Sequence, residues 1–480
     1  MSYIFRQIRS YLFIPFVIVF ISVSAQSDLD SLLKIWNDGS KSDSVRVSAF
    51  AAFIWDGYLF SQPDSASVLA NQLFEFSKMK SYKLGMAKAL HLKGISHDIV
   101  DEYPKALFYN EQSLKIKREI GDKKGIASSL NNIGLIYESQ GEYLKALDFY
   151  NKSLKIRQEI GDKIGIGGSL DNIGGNYRDQ GDYLRALDYL KKSLKVNKEA
   201  GYKNGILNNL LNIGLIYSEQ GDYPKALYYH NRSLRISEEI DDKLGMSISL
   251  HNIGECYIKE GDYIKALDFH IESLKISEEI DDKDGISRSL INIGSSQAAL
   301  GDFHKAHVSL QRALSIAEKI GYTEIITFTS YSICETYAVQ GDFSKAIEYC
   351  HRSLDLAKEI GNVPVQKDTY KYLYKSYKAI GDNKKALNYH EQMLVLNDSL
   401  KTQETTKKLQ QMEFAKQVLA DSLLQVEKEL QVEMAHQAEV RTKDRNRNLA
   451  IGAGIFFLVL SGGFYSRWRY VRKSKAIIEK

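Results

Sequence analysis

Apolar residues in the middle of this chain recur at the spacing of amphipathic helices. Between residues 121 and 160 they form two stripes with intervals of three or four residues, which is the period of an α-helix. The first stripe consists of Ile126, Leu130, Ile133 and Tyr137. The second stripe consists of Tyr143, Ala146, Tyr150 and Leu154. The pattern therefore predicts a helical hairpin, with helix A before Gly141 and helix B after it.

This hairpin is one copy of a unit that repeats every 40 residues. A glycine, an acidic residue and an aromatic residue mark the repeat, starting at Gly141, Gly181, Gly221, Gly261, Gly301 and Gly341. An alanine extends the same register in both directions, at Ala66, Ala106, Ala146, Ala186, Ala226, Ala266, Ala306, Ala346 and Ala386. A fixed period of this length is typical of a solenoid. We therefore predict an array of about nine helical hairpins over residues 41–400.

Glycine and acidic residues also predict where the helices begin and end. Gly121 is placed to end one helix in a left-handed conformation, and Asp122 to cap the N-terminus of the next. Gly141 and Glu142 hold the same positions between helices A and B. Prolines fall near helix starts, where a missing N–H costs little, at Pro63, Pro104, Pro224 and Pro364.

The unit resembles a tetratricopeptide repeat. The residues that carry the resemblance are Leu130, Ile133, Gly134, Tyr137, Ala146 and Tyr150. It implies an all-α solenoid of the tetratricopeptide type, in which Gly134 and Ala146 let helices A and B approach closely. The equivalent structural positions of the central repeats are Gly134, Tyr137, Ala146, Gly174, Tyr177, Ala186, Gly214, Tyr217, Ala226, Gly254, Tyr257 and Ala266.

Two features depart from the family pattern. The period is 40 residues instead of about 34, so the extra residues lengthen either the helices or the turn from helix B to the next helix A. The glycine position is replaced near the ends of the array by Ile54, Cys334 and Tyr374. Atypical end units are expected where a solenoid is capped.

In this family the inner faces of the A helices line a groove, and the residue two before the glycine faces it. Here that residue is an asparagine in five repeats, at Asn132, Asn172, Asn212, Asn252 and Asn292. An asparagine can both donate to and accept from a peptide backbone. The resemblance thus predicts a peptide-binding groove that also includes Arg178, His251 and Arg288. The alternative is a structural ladder in which the asparagines bond to the neighbouring repeat.

The first 25 residues have the pattern of a secretory signal peptide. Arg6 and Arg9 form a basic region, an apolar run covers residues 12–23, and Ala25 precedes the expected cleavage site. An uncleaved anchor is the alternative. In both cases the chain that follows is exported, and residues 26–40 lead into the array.

Residues 401–447 predict a helical stalk. Over about 409–430, apolar residues alternate at intervals of three and four, as in a coiled coil. The seam consists of Leu409, Met412, Lys416, Leu419, Leu423, Val426 and Leu430, with the lysine as a defect. A parallel homodimer fits this pattern, and so does a single amphipathic helix packed on the last repeats.

Residues 448–466 predict a transmembrane helix, because the stretch from Leu449 to Tyr465 carries no charge. Basic residues flank it on both sides, so charge alone does not orient it. The signal peptide would place residues 26–447 in the periplasm and the basic tail 467–480 in the cytoplasm. The chain would then be a single-pass inner-membrane protein. A buried core helix is the alternative.

Composition narrows the function classes. A net charge of +4 is too balanced for a chain that binds nucleic acid through a basic face. Five prolines in 480 residues favour long helices. Three cysteines cannot form a disulfide framework. We expect Cys334 and Cys350 of one hairpin to be buried thiols, with a disulfide between them as the alternative.

No motif predicts a metal, a cofactor or a catalytic residue. His230, His270 and His390 share a register but lie in different repeats, too far apart for one metal ion. The glycines between residues 165 and 175 have no strand ahead of them, which a phosphate loop requires. We therefore expect a protein that is not an enzyme.

The order of the segments resembles the periplasmic sensory half of bacterial membrane receptors. In those receptors tetratricopeptide repeats are linked to an adenylate or guanylate cyclase or to a histidine kinase. Residues 475–480 look like the start of such a linker, and we expect no output domain within the short tail 467–480. The resemblance implies a membrane-anchored protein that binds a peptide or protein and relays the event through a dimeric stalk. A truncated receptor half of a signalling enzyme and a static envelope scaffold are the alternatives.

Overall fold

The computed structural model describes residues 23–59 and 61–478, and these form nineteen α-helices and no β-strand. The predicted signal peptide lies outside the described residues as far as residue 22. The helices are α1 Val23–Asn37, α2 Asp43–Gly57, α3 Pro63–Met79, α4 Lys83–Ile99, α5 Tyr103–Glu119, α6 Lys123–Ser139, α7 Tyr143–Glu159, α8 Lys163–Asp179, α9 Tyr183–Glu199, α10 Lys203–Glu219, α11 Tyr223–Glu239, α12 Lys243–Glu260, α13 Tyr263–Glu279, α14 Lys283–Ala299, α15 Phe303–Ile320, α16 Thr323–Gln340, α17 Phe343–Glu359, α18 Val363–Ala379 and α19 Asn383–Ile478.

From α2 onwards the helices pair into hairpins, each made of a helix A and a helix B. The predicted all-α hairpin solenoid is confirmed. In the third hairpin, α6 and α7 each have 17 residues. A turn of three residues, 140–142, joins them, and another, 160–162, leads to the next helix A. The residues in excess of the usual repeat therefore lengthen the helices and not the turns.

The turns close as the sequence predicts. Gly121 and Gly141 have φ angles of +73° and +77°, which only glycine adopts without steric cost. The Asp122 carboxylate accepts a hydrogen bond of 2.9 Å from the backbone N–H of Gly125 and so caps α6. Glu142 stands at the equivalent position of α7 but makes no side-chain cap. Aspartates at that position do cap their helices, at Asp182, Asp222, Asp262, Asp302 and Asp342.

Helices A and B of one hairpin touch where a glycine faces a larger side chain. A Cβ atom added to Gly134 would lie 2.6 Å from the Tyr150 ring, closer than real contacts allow. The same relation holds between Gly174 and Leu190, at 2.8 Å. The glycine therefore sets how closely the two helices pack.

The eighth hairpin replaces this contact by a covalent bond. Cys334 and Cys350 occupy the glycine position and the facing position, their Cα atoms lie 5.0 Å apart, and their sulfurs form a disulfide. The expectation of two buried thiols is therefore wrong. The two side chains meet because this is the point of closest approach between helices A and B. Cys256 remains a buried free thiol.

Buried serines of helix B bond to helix A of the same hairpin, and Ser153 also reaches the next hairpin. Ser153 of α7 donates a hydrogen bond of 2.8 Å to the carbonyl of Ala127, and its Oγ lies 3.3 Å from that of Ser169 in α8. Serines at the same register bond to the carbonyl 26 residues earlier, namely Ser113, Ser193, Ser273 and Ser353. Because a one-residue slip would leave these buried groups unpaired, the serine bonds fix the register between helices A and B of each hairpin.

Residues 26–37 of the predicted lead-in belong to α1, which covers the first hairpin. The Trp36 ring stacks on Phe50 with centroids 4.2 Å apart. The Arg46 guanidinium donates a hydrogen bond of 2.8 Å to the carbonyl of Trp36. This segment shields the apolar face that the first hairpin would otherwise expose.

The chain forms two compact units, of which the first ends at Glu404 and the second begins at Thr405. In the second unit the side chains of residues 406–426 lie outside the described ones, so the coiled-coil seam and the homodimer stay predictions. One helical segment among the described residues, Leu430–Arg469, is long and apolar enough to cross a membrane. It contains the predicted span 448–466.

Two fully buried histidines of the array have no hydrogen-bond partner. His230 and His270 hold the position of Tyr150 in their hairpins, each facing a glycine, and both are fully buried. Neither ring nitrogen of either residue is hydrogen-bonded. Burial lowers the pKa of His230 to about 3. Burial, and secondarily His251, lowers the pKa of His270 well below its usual value. Both imidazoles are therefore neutral near neutral pH.

We expect the array to lose stability as the pH falls below about 6.5. The unfolded chain then protonates these histidines while the folded chain does not, so each lowers the free energy of unfolding by about 1.4 kcal/mol per pH unit. Above the pKa of the unfolded chain, both states hold these histidines neutral, and the full stability of the array is present. Replacing both by leucine, the residue found at Leu190 and Leu310, should flatten this dependence.

Urea unfolding of the full chain in detergent, between about pH 5 and pH 7, measures this slope above the range where most carboxylates titrate. His304→Ser is the control, because His304 is an exposed residue of α15 and Ser344 is its repeat equivalent. An unchanged slope in the double leucine variant would contradict the expectation.

Candidate functional site

The A helices form the inner layer of the array. A helices of successive hairpins, such as α8 and α10 or α16 and α18, pack against each other more closely than successive B helices do. A stack of hairpins curves towards the layer whose helices converge. The surface shared by the A helices is therefore the concave one, where the sequence places its candidate groove.

Three of the five predicted asparagines bond to the preceding A helix. Asn292 donates to Glu255 Oε1 at 2.5 Å. Asn172 donates to Asn131 Oδ1 at 2.9 Å. The third is Asn212, whose contact with Asp171 Oδ1 is longer, at 3.4 Å. In each case the amide bridges two successive repeats, as the structural ladder requires.

Both ends of the Asn212 amide are hydrogen-bonded within the array. Its Oδ1 accepts a hydrogen bond of 3.2 Å from Arg178 Nη1, and the residue is 2% exposed. Arg178 is buried as well and lies 3.3 Å from the Asp179 carboxylate. Asn172 is also buried. These three predicted groove residues, Asn172, Asn212 and Arg178, thus belong to a polar network between repeats.

Asn132 and Asn252 are different. Both are half-buried, and neither side chain forms a hydrogen bond within the described part of the chain. Asn252 makes no such bond because its neighbour on the preceding A helix, 41 positions earlier, is Leu211, which offers no polar group. The equivalent neighbour of Asn172 is Asn131. Asn132 and Asn252 therefore keep both a donor and an acceptor for a ligand.

The remaining predicted residues lie in the sixth and seventh hairpins. His251 is half-buried, and burial lowers its pKa although Glu255 opposes the effect. Arg288 Nε donates a hydrogen bond of 2.8 Å to Asp284 Oδ2 within α14. Both side chains remain partly exposed, at 28% for Arg288 and 40% for Asp284. This end of the inner face is therefore charged and accessible.

The sequence analysis missed several polar residues of this end. Glu324 of α16 is 94% buried next to Asp284 and Arg288, and burial raises its pKa. Asp284 and Glu324 are 40 residues apart, so reading that register along the repeats would have found them. Further along, the Tyr372 hydroxyl donates to Glu335, and its ring lies 6.1 Å from that of Tyr331.

We expect the asparagines of the inner face to separate into two classes when each is replaced by alanine. Asn212→Ala removes a buried bridge to Asp171 and Arg178, so it should lower the free energy of unfolding by about 1–3 kcal/mol. Asn252→Ala breaks no bond within the described chain, so its effect should stay within about 0.5 kcal/mol. Urea unfolding of the full chain in detergent measures both. Equal losses would mean that Asn252 is also a structural bridge.

Comparison with known proteins supports the repeat assignment. The family model for the tetratricopeptide repeat matches residues 85–159, 166–239 and 245–319. Among proteins of curated function, none matches this sequence.

Several solved structures share the fold. Aspartyl phosphate phosphatase F from Bacillus subtilis is 15% identical, with 79% of this chain and 95% of that chain covered and a TM-score of 0.51. The signal transduction ATPase with a tetratricopeptide repeat sensor from Pyrococcus horikoshii is 15% identical, with 79% and 53% covered and a TM-score of 0.52. The apo quorum sensor NprR from B. thuringiensis is 16% identical, with 78% and 98% covered and a TM-score of 0.50.

At these identities the likeness concerns the fold alone. The family match falls on the hairpins whose glycine contacts and turns are described above, and the similar structures extend the likeness to most of the chain. The matched hairpins are therefore tetratricopeptide repeats, and the rest of the array has the same helical-hairpin fold.

Proposed function

We propose that this chain is a non-enzymatic, membrane-anchored module that binds an extended peptide or protein segment along the inner face of its A helices, on the exported side of the membrane. The observation that carries the proposal is the pair of accessible amides at Asn132 and Asn252. An amide with both groups unsatisfied can pair with a peptide backbone without breaking a bond of the array.

The spacing of the two amides suits an extended ligand. Asn132 and Asn252 lie three repeats apart, which is about 24–30 Å at the usual distance between packed helices. An extended peptide of about ten residues spans about 33 Å. One peptide of this length can therefore reach both asparagines and the charged residues next to Asn252.

Two of the similar structures support a role in sensing. One is named a quorum sensor, and another contains a tetratricopeptide repeat sensor. A third is named a phosphatase. The binding role is favoured for this chain because its inner face offers accessible amides and ion pairs.

Two observations support the exported, membrane-anchored setting. The segment Leu430–Arg469 has the length and composition of a membrane span. The buried disulfide between Cys334 and Cys350 suits an oxidising compartment, because thiols in the cytosol are kept reduced. Both agree with the export signal predicted for the first 25 residues.

We expect the full chain in detergent micelles to retain peptides from a synthetic pool of random sequences about ten residues long, with bound peptides identified by mass spectrometry. The double variant Asn132→Ala, Asn252→Ala should retain them about tenfold more weakly, because each lost hydrogen bond contributes roughly 0.5–1.5 kcal/mol.

Asn231→Ala is the matched control, because Asn231 is an exposed asparagine on the outer helix α11. If the double variant retained peptides as strongly as the original chain, these asparagines would not belong to the binding site. If the original chain retained no peptide, the static scaffold would be the better explanation.

We expect a membrane-impermeant amine reagent to label the array in intact spheroplasts of a Gram-negative host that expresses the full chain. Exposed lysines such as Lys155 and Lys275 should react. The lysines of the tail, Lys473 and Lys475, should react only after lysis, because the span would place them inside. Mass spectrometry of the labelled peptides measures both, with a cytoplasmic host protein as the control for lysis. Labelling of the tail in intact spheroplasts would contradict the proposed orientation of the chain in the membrane.

A further inference from the structure

Carboxylates from three successive A helices collect at one end of the inner face. Glu255 belongs to α12, Asp284 to α14 and Glu324 to α16. Arg288 stands among them, and together with Asp284 it acts electrostatically on both His251 and Glu324. The group therefore forms one charged cluster that spans the sixth to eighth hairpins.

The charges of this cluster do not balance. Arg288 is the cation bonded to Asp284, at 2.8 Å. Glu255 accepts a hydrogen bond from the neutral amide of Asn292. His251 does not compensate the charge, because burial lowers its pKa. Asp284 and Glu324 thus share a single guanidinium.

Two carboxylate oxygens in the cluster are buried and have no hydrogen-bond partner. They are Oδ1 of Asp284 and Oε2 of Glu324, and the whole Glu324 residue is 6% exposed. An unpaired carboxylate that is shielded from water raises the free energy of the folded chain. A cation placed between these two oxygens would remove that cost and gain charge-assisted hydrogen bonds.

The chemistry of the cluster favours an organic cation. The described residues hold no set of three close metal-ligating side chains, and the two free oxygens come from different helices, α14 and α16. An ammonium or guanidinium group carries several N–H donors and can serve both oxygens at once. Asn252, one of the two accessible amides, lies next to His251 on the same helix α12.

We propose that Asp284 and Glu324 form a subsite for a positively charged group of the bound peptide, either its amino terminus or a lysine or arginine side chain. The proposal rests on the proposed function, because the subsite continues the inner face on which Asn252 lies. It gives the face a direction, with the cationic part of the ligand at the sixth to eighth hairpins.

The peptide pool tests the subsite when bound sequences are read residue by residue. We expect peptides retained by the full chain in detergent to be enriched in lysine or arginine, or to require a free amino terminus. A second pool with acetylated amino termini separates the two sources. In the double variant Asp284→Asn, Glu324→Gln, which keeps the shape of both side chains, the enrichment should disappear. Glu348→Gln, an exposed glutamate on the outer helix α17, should leave it unchanged.

A double-mutant cycle makes the test independent of the stability of the variant. A retained peptide is resynthesised with citrulline for arginine, norleucine for lysine or an acetylated terminus, and its affinity is measured on the original chain and on Glu324→Gln. Loss of the charge should weaken binding to the original chain about tenfold or more, and binding to the variant by about twofold or less.

The outcomes separate the two proposals. Retention of peptides without any preference for positive charge would overturn the subsite and leave the binding function standing. An equal loss on the original chain and on Glu324→Gln would place the cation elsewhere and would also overturn the subsite. Retention of no peptide at all by the original chain would overturn both.

Discussion

The array depends on the contact between a glycine of helix A and a side chain of helix B. At Gly134 and Gly214 any Cβ atom would lie less than 3 Å from the facing ring, so the two helices can pack at this distance only around glycine. The facing residue can vary in chemistry, as Tyr150 and His230 do, because what it must supply is volume. In the eighth hairpin, one of the three that lack this glycine, a disulfide holds the same two positions together. This contact fixes how helices A and B align in each hairpin. Equivalent residues of successive A helices, 40 positions apart, therefore line up in columns on the inner face.

The fold could be predicted because its signals are local and repeated. Gly121 and Asp122 act within one turn, and the same pair of roles recurs along the array, so a single misread repeat would not have changed the conclusion. The prediction of free thiols at Cys334 and Cys350 failed for the opposite reason. It took buried thiols as the default and kept the disulfide only as the alternative, although the repeat register already placed the two residues in one hairpin.

The site could be predicted only in part, because its properties depend on pairs of residues about 40 positions apart. The asparagine column itself was visible in the sequence. Whether one of its members is a bridge depends on what the preceding A helix offers, which is Asn131 for Asn172, Glu255 for Asn292 but an apolar Leu211 next to Asn252. Asp284 and Glu324 escaped attention because each is an ordinary charged residue alone. They form a group only when two repeats are stacked.

Residues that hold the hairpin together and residues that could contact a ligand therefore lie next to each other on the same helix. Gly254 and Asn252 are two positions apart on α12, yet a side chain at Gly254 would meet the His270 ring at 2.6 Å, whereas Asn252 is held by no hydrogen bond of the described chain. A substitution at the first position disturbs the packing of the hairpin, and one at the second changes only what the inner face presents. Because every repeat offers one such variable position on a constant frame, the inner face can acquire polarity and charge step by step. The charged end between the sixth and eighth hairpins therefore depends on the residues at a few equivalent repeat positions and is not required by the fold.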